Sequence, residues 1–130
     1  MAGHIGSKYY DIFLKHHVQL VTSDEDNVIS EEGFRLLLEI EKEFSIVAAA
    51  KNMKISYRKV WSILRDVELI LGFSLVDRKR GGKSGGRTTF TPEGKILLDA
   101  FTSMKTDLED SGKEIIRSFF RRINLNIDKK

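Results

Sequence analysis

The stretch Phe44–Gly72, "FSIVAAAKNMKISYRKVWSILRDVELILG", divides itself at two serines. Ser45 can cap a short helix, and Val47, Ala48 and Ala49 give that helix so little bulk that a second helix can cross closely over it. Lys51 to Ile55 supplies a turn. Ser56 then caps a longer helix that Gly72 suits as the residue just past its end. Within it Val60, Leu64, Val67 and Leu71 recur at helical spacing and make one buried stripe. That stripe leaves Tyr57, Arg58, Lys59, Ser62 and Arg65 pointing elsewhere. A short helix, a tight turn and a helix with a polar, cationic N-terminal half form a helix-turn-helix, whose exposed residues reach base edges and phosphates in a major groove. Trp61, beside the stripe, reads as a packing residue, whereas Tyr57 is open to either packing or DNA contact.

Working outward on the C-terminal side, "FSLVDR" offers Leu75 and Val76 as a short apolar strand, and "RTTFT" offers a returning one. Between them, Arg78, Lys79, Arg80, Lys83 and Arg87 alternate with glycines. A phosphate loop is the competing reading, because Gly82-Lys83-Ser84 looks like the end of G-x-x-x-x-G-K-[ST]. Its first glycine would have to stand where Asp77 is, and a helix would have to follow directly. Two more glycines and a β-branched run follow instead. The stretch therefore reads as a β-hairpin wing, with Arg78, Arg80, Lys83, Ser84 and Arg87 set against a nucleic-acid backbone or minor groove.

The charge distribution agrees. From Lys51 to Arg87 there are ten Lys/Arg and three Asp/Glu, a balance of +7, and since the whole chain carries +3 the remainder carries −4. That asymmetry suits one face meeting a polyanion. Lys51, Lys54 and Arg65 join the wing cations as expected phosphate contacts, while Ser56, Tyr57, Arg58, Lys59 and Ser62 are the expected base-reading set.

On the N-terminal side, "YYDIFLKHHVQLV" alternates apolar and polar residues through Tyr10, Ile12, Leu14, Val18 and Leu20, which predicts a half-buried strand. "VIS" can return as a second strand, and Ser30 with Glu31 and Glu32 opens another helix. At the far end Thr91-Pro92-Glu93 starts a long helix in which Leu97, Phe101, Met104, Leu108, Ser111 and Ile115 form a heptad-like seam, with Phe119 beyond it. The seam is expected to pair with the same helix of a second copy. Packing along its own domain is the competing reading.

Four segments carry a family resemblance: "AAAKNMKISYRKVW" for the helix-turn-helix, "LGFSLVDR" for the exit into the wing, "GGKSGG" at its tip and "TPEGKILL" for the next helix. Together they make Val18 to Phe101 resemble the N-terminal winged-helix domain of molybdate-responsive, ModE-like transcriptional regulators. More loosely, the run is similar to the DNA-binding domain of LysR-type regulators. The resemblance implies a dimeric transcription factor, with Ser56, Tyr57, Arg58, Lys59 and Ser62 at recognition-helix positions and the wing at Arg80 to Arg87. The sequence stops at Lys130, soon after the long helix, so no effector domain and no molybdate sensing are expected within it.

Other function classes find little support. There is no Cys, and His16 and His17 are neighbours whose side chains would leave a strand on opposite faces, so neither a thiolate nor a paired-imidazole metal site is expected. No nucleophile, base and orienting group assemble, and no cofactor or small-molecule effector is expected. No apolar run is long enough to span a bilayer and no export signal is evident, which makes a cytoplasmic protein the expectation. The expected fold is mainly α with a small antiparallel β component, a winged helix-turn-helix with a long C-terminal helix. Residues 1–91 make the DNA-binding domain and 92–130 the dimerisation element. The expected partners are double-stranded DNA and a second copy of the chain. The alternative is a winged helix that serves as a protein-interaction module.

Overall fold

The computed structural model describes residues 8–79 and 87–128. In chain order the elements are β1 (Leu20–Val21), β2 (Asn27–Ile29), α1 (Glu31–Glu43), α2 (Ile46–Met53), α3 (Tyr57–Leu71), β3 (Val76–Lys79), β4 (Arg87–Phe90) and α4 (Pro92–Asp128). Two antiparallel hairpins, β1–β2 and β3–β4, accompany the helices, so the mainly helical architecture with a small β component stands.

Each helix starts at a hydroxyl. The side chains of Ser30, Ser45, Ser56 and Thr91 accept from the backbone N–H of Gly33, Ala48, Lys59 and Gly94 at 3.2, 3.1, 3.0 and 3.0 Å. These bonds satisfy donors that the first helical turn otherwise orphans. α3 ends where expected, at Gly72, whose φ of 81° is the left-handed conformation glycine adopts without a Cβ penalty. α2 runs to Met53, further than the expected turn at Lys51, and Lys54 takes the left-handed position with φ 58°.

The chain divides into two compact units, Val18–Phe101 and the remainder on either side of it, with the division falling inside α4. The first includes the start of α4, whose Leu98 and Phe101 are buried. That core gathers Ile29, Phe34, Leu36, Leu37, Ile40, Val60, Leu64, Leu75 and Leu98, all essentially inaccessible. Each such side chain contributes about 2 kcal/mol of burial. Phe34 of α1 stacks on Phe101 of α4 with the ring planes 5° apart.

At the surface of the same unit Lys95 bonds to Glu41 and, at 2.9 Å, to Asp99. The hydrogen bond that Lys95 donates to Glu41, then the one it donates to Asp99, holds the ammonium's pKa above the ordinary lysine value. A raised lysine pKa adds stability below its unfolded value and loses it as pH rises through the folded value, so this link is fully present at neutral pH.

In the other unit Tyr9 packs against Phe120 with ring centroids 6.1 Å apart, and Ile116 and Phe120 are buried. The expected strand from Tyr10 to Leu20 does not form. A turn occupies residues 8–11, Tyr10, Ile12 and Leu14 are all exposed, and among the described residues the segment gives a strand only at Leu20–Val21. Alternation alone makes no strand when no neighbouring strand supplies ladder bonds along its length.

The residues of the seam expected along α4 differ in exposure. Phe101 is a core residue of the first unit, Leu97 and Met104 are half-buried, and Leu108, Ile115 and Phe119 are exposed. The buried row is Leu98, Phe101, Ile116 and Phe120.

Candidate nucleic-acid interface

α3 turns Val60, Leu64 and Val67 into the core, and Leu71 is half-buried behind them. A helix that buries this stripe holds Arg58, Ser62 and Arg65 on its outermost row. All three are exposed, as are Tyr57 and Lys59 at the flanks. Tyr57 meets Trp61 edge to face with centroids 6.3 Å apart, and Trp61 itself is half-buried, so it does pack. Ser56 is exposed, but its hydroxyl is already the helix cap, accepting from the Lys59 N–H.

Lys51 and Lys54, exposed at the end of α2, stand at the turn leading into α3. The turn is tied by the Ile55 N–H to the Ala50 carbonyl at 3.1 Å, which fixes how α2 delivers α3. Among the described residues none of Lys51, Lys54, Arg58, Lys59 or Arg65 is held in an ion pair. Five cations thus share the outer side of α2 and α3 with few neighbouring acids. Among the acids nearby, Glu32 and Asp66 line a groove with Ser30, Lys59 and Ser62, and Glu39 and Glu43 accept from the Asn52 amide of α2.

The hairpin after α3 is antiparallel, pairing Val76 with Phe90, Arg78 with Thr88 and Lys79 with Arg87. It is tied to α3 and to the end of α1, and its own two ends are closed on each other. The Leu75 N–H donates to the Glu68 carboxylate of α3 at 2.6 Å, the Thr91 N–H to the Leu75 carbonyl at 3.0 Å, and the Thr88 N–H to the Phe44 carbonyl at 2.9 Å. Arg87 does not extend freely from the strand, since its guanidinium lies over the Phe44 ring, 4.3 Å from the centroid. Arg80, Lys83 and Ser84 lie outside the described residues, as does the side chain of Arg78.

Sequence reasoning missed Phe44. Its signal was the single residue left between the last helical position, Glu43, and the cap Ser45, which forces a sharp reversal there.

Two helices joined by a tight turn, the second carrying a cationic outer row, and an antiparallel hairpin directly behind them define a winged helix-turn-helix domain. More particularly, residues 32–95 match the bacterial regulatory helix-turn-helix proteins of the lysR family, and this part of the chain is a helix-turn-helix domain of that family. Among curated proteins the chain is similar to the transcriptional regulator ModE of Haemophilus influenzae, 37% identical over 81 residues that cover 62% of this chain and 32% of that protein. It is also similar to the molybdenum-pterin-binding protein MopB of Rhodobacter capsulatus, 30% identical over 73% of this chain and 34% of the relative. The chain therefore spans about a third of the length of these relatives.

Among solved structures, a BenM_DBD/catB site 1 DNA complex aligns with a TM-score of 0.53 at 20% identity, over 66% of this chain and 90% of that one. Full-length LysG from Corynebacterium glutamicum aligns with a TM-score of 0.54 at 20% identity, over 68% of this chain and 29% of that one. Both show the same fold. Among the described residues no helix is long and apolar enough to cross a membrane, and no group of His, Cys, Asp and Glu is placed to hold a metal ion.

Proposed function

We propose that this chain binds double-stranded DNA as a homodimer and thereby regulates transcription. The carrying observation is the outer row of α3, Arg58, Ser62 and Arg65, all exposed on the side opposite the buried Val60, Leu64 and Val67. A rigid helix so mounted enters a major groove, where an arginine donates two bonds to a guanine edge and a serine hydroxyl donates or accepts. Tyr57 and Lys59 flank that row, and the Ser56 hydroxyl, which accepts from the Lys59 N–H, keeps its own O–H to donate. Lys51 and Lys54, with Arg87 at the hairpin, contact phosphates and set the register. Arg78, Arg80, Lys83 and Ser84 belong to the wing, which lies on the backbone or in a minor groove. Two of the similar proteins carry molybdenum in their names. The proposal for this chain is confined to DNA.

Binding of a labelled duplex, followed by fluorescence anisotropy at several salt concentrations, tests the reading. Affinity should fall steeply with salt, as it does when several phosphates are neutralised and their counterions released. Arg58→Ala should cost about 1–3 kcal/mol on the preferred sequence and relax the preference at the base it reads, whereas Lys51→Ala should weaken all duplexes about equally. Equal behaviour of the two variants on every sequence would remove α3 from the groove.

The homodimer rests on Leu108, Ile115 and Phe119, which are 42, 63 and 50% exposed along α4. Three large apolar side chains on the same helix are a poor water-facing surface and a good one for a second copy. Ile115→Glu should therefore convert a dimer to a monomer in size-exclusion with light scattering. A wild-type chain that elutes as a monomer at every concentration would overturn this part.

A further inference from the structure

Phe44 combines three properties that are rarely found together. Its backbone is left-handed, with φ 54° and ψ 28°, a conformation in which a bulky side chain is a genuine outlier. Its ring is 44% exposed, so burial does not account for an aromatic there. Under these conditions glycine is the residue the backbone favours. The ring nevertheless does something: it lies beneath the Arg87 guanidinium, and the carbonyl of the same residue receives the Thr88 N–H at 2.9 Å. Both contacts land at the same end of the β3–β4 hairpin, where the register sets Arg87 opposite another cation, Lys79. An aromatic face offers an exposed guanidinium a favourable place to lie. Outliers of this kind persist where surrounding structure overdetermines them, and they gather at functional sites.

We propose that Phe44 is a positioning residue for the DNA interface, holding the Arg87 guanidinium at the loop end of the β3–β4 ladder so that its N–H edge meets a backbone phosphate. The inference rests on the proposed DNA binding. A guanidinium lying over a ring keeps its fork of donors in its own plane, and the ring removes much of the rotamer freedom that a long exposed side chain would lose on binding. Arg87 thus arrives at the duplex already oriented.

The test is a double-mutant cycle on the full chain, with thermal midpoint and affinity for a random-sequence duplex measured for wild type, Phe44→Gly, Phe44→Tyr, Arg87→Ala and the Phe44→Gly, Arg87→Ala pair. Phe44→Gly should keep or raise the thermal midpoint, because glycine suits the left-handed backbone, yet weaken duplex binding about threefold through loss of the cation–π contact. A purely structural residue would not separate the two readouts in that direction. Phe44→Tyr, which retains a ring face, should bind as wild type. Arg87→Ala should weaken binding further and reduce the slope of log affinity against log salt by about one, the signature of a single lost phosphate contact. In the Arg87→Ala background Phe44→Gly should have no additional effect.

The inference fails if Phe44→Gly binds as wild type while Arg87→Ala does not, or if Phe44→Gly costs the same in both backgrounds. It also fails, with DNA binding left standing, if Arg87→Ala changes neither affinity nor salt slope while Arg58→Ala and Lys51→Ala do. No binding of any duplex by the wild-type chain would instead remove the DNA reading, and this inference with it.

Discussion

Gly94→Ala is expected to destabilise the chain by about 2–3 kcal/mol, measured by chemical denaturation. A Cβ on Gly94 would sit 2.2 Å from the Leu75 carbonyl oxygen and 2.9 Å from its carbon, distances that no real contact shows. The obstacle is backbone, so no rotamer change relieves it. The Leu75 carbonyl is also committed, accepting the Thr91 N–H at 3.0 Å, so pushing it aside loosens the cap of α4 as well. On an exposed helix the same substitution would gain about 1 kcal/mol of helix propensity. Here overpacking outweighs that gain, since forcing a methyl group into a filled space costs about 1–3 kcal/mol even where side chains alone must yield. A stability equal to wild type would mean that the first turn of α4 does not lie against the start of β3.

Phe101→Ala is expected to cost more, about 4 kcal/mol. The ring is 4% exposed and stacks on Phe34, so its removal forfeits transfer energy and leaves a cavity among rigid neighbours. Phe119→Ala on the same helix is the informative control. Its ring is half-exposed, and its loss should change the stability of an isolated chain by less than about 0.5 kcal/mol. The contrast separates the two positions on α4: Phe101 completes a core, and Phe119 stands half-exposed. Similar losses for both variants would contradict the burial of Phe101.

Much of the domain could be read from local chemistry. Ser30, Ser45, Ser56 and Thr91 were legible as caps because a hydroxyl ahead of an apolar-periodic run acts on donors within its own turn, and no distant residue has to be known. Gly72 was legible for the same reason. The row that α4 buries was not, because its apolar residues come in adjacent pairs: Leu97 with Leu98, Ile115 with Ile116 and Phe119 with Phe120. Two rows a third of a turn apart then fit the pattern equally well, and only the position of Phe34 decides that Leu98 and Phe101 turn inward. The segment from Tyr10 to Leu20 failed for a related reason, since its alternation says nothing about whether a second strand is present to pair with it.

The outer row of α3 followed directly once its stripe was known, because the position of one face of a helix fixes the other. Phe44 was opaque because its role comes from an unfavourable backbone conformation and from Arg87, far away in sequence. No local preference anticipates either.

The four hydroxyl caps also divide the helices by the charge they place at their positive ends. α1 and α4 follow their caps with carboxylates, Glu31 and Glu32 in one and Glu93 in the other. α2 and α3 have no acid in the first turn. A carboxylate there would neutralise the roughly half charge that aligned peptide dipoles leave at a helix start. Where the proposed interface lies, that charge is left bare beneath a neutral serine. At the start of α3 the chain forgoes a small gain in isolated helix stability, and leaves no negative side chain there to repel an approaching phosphate.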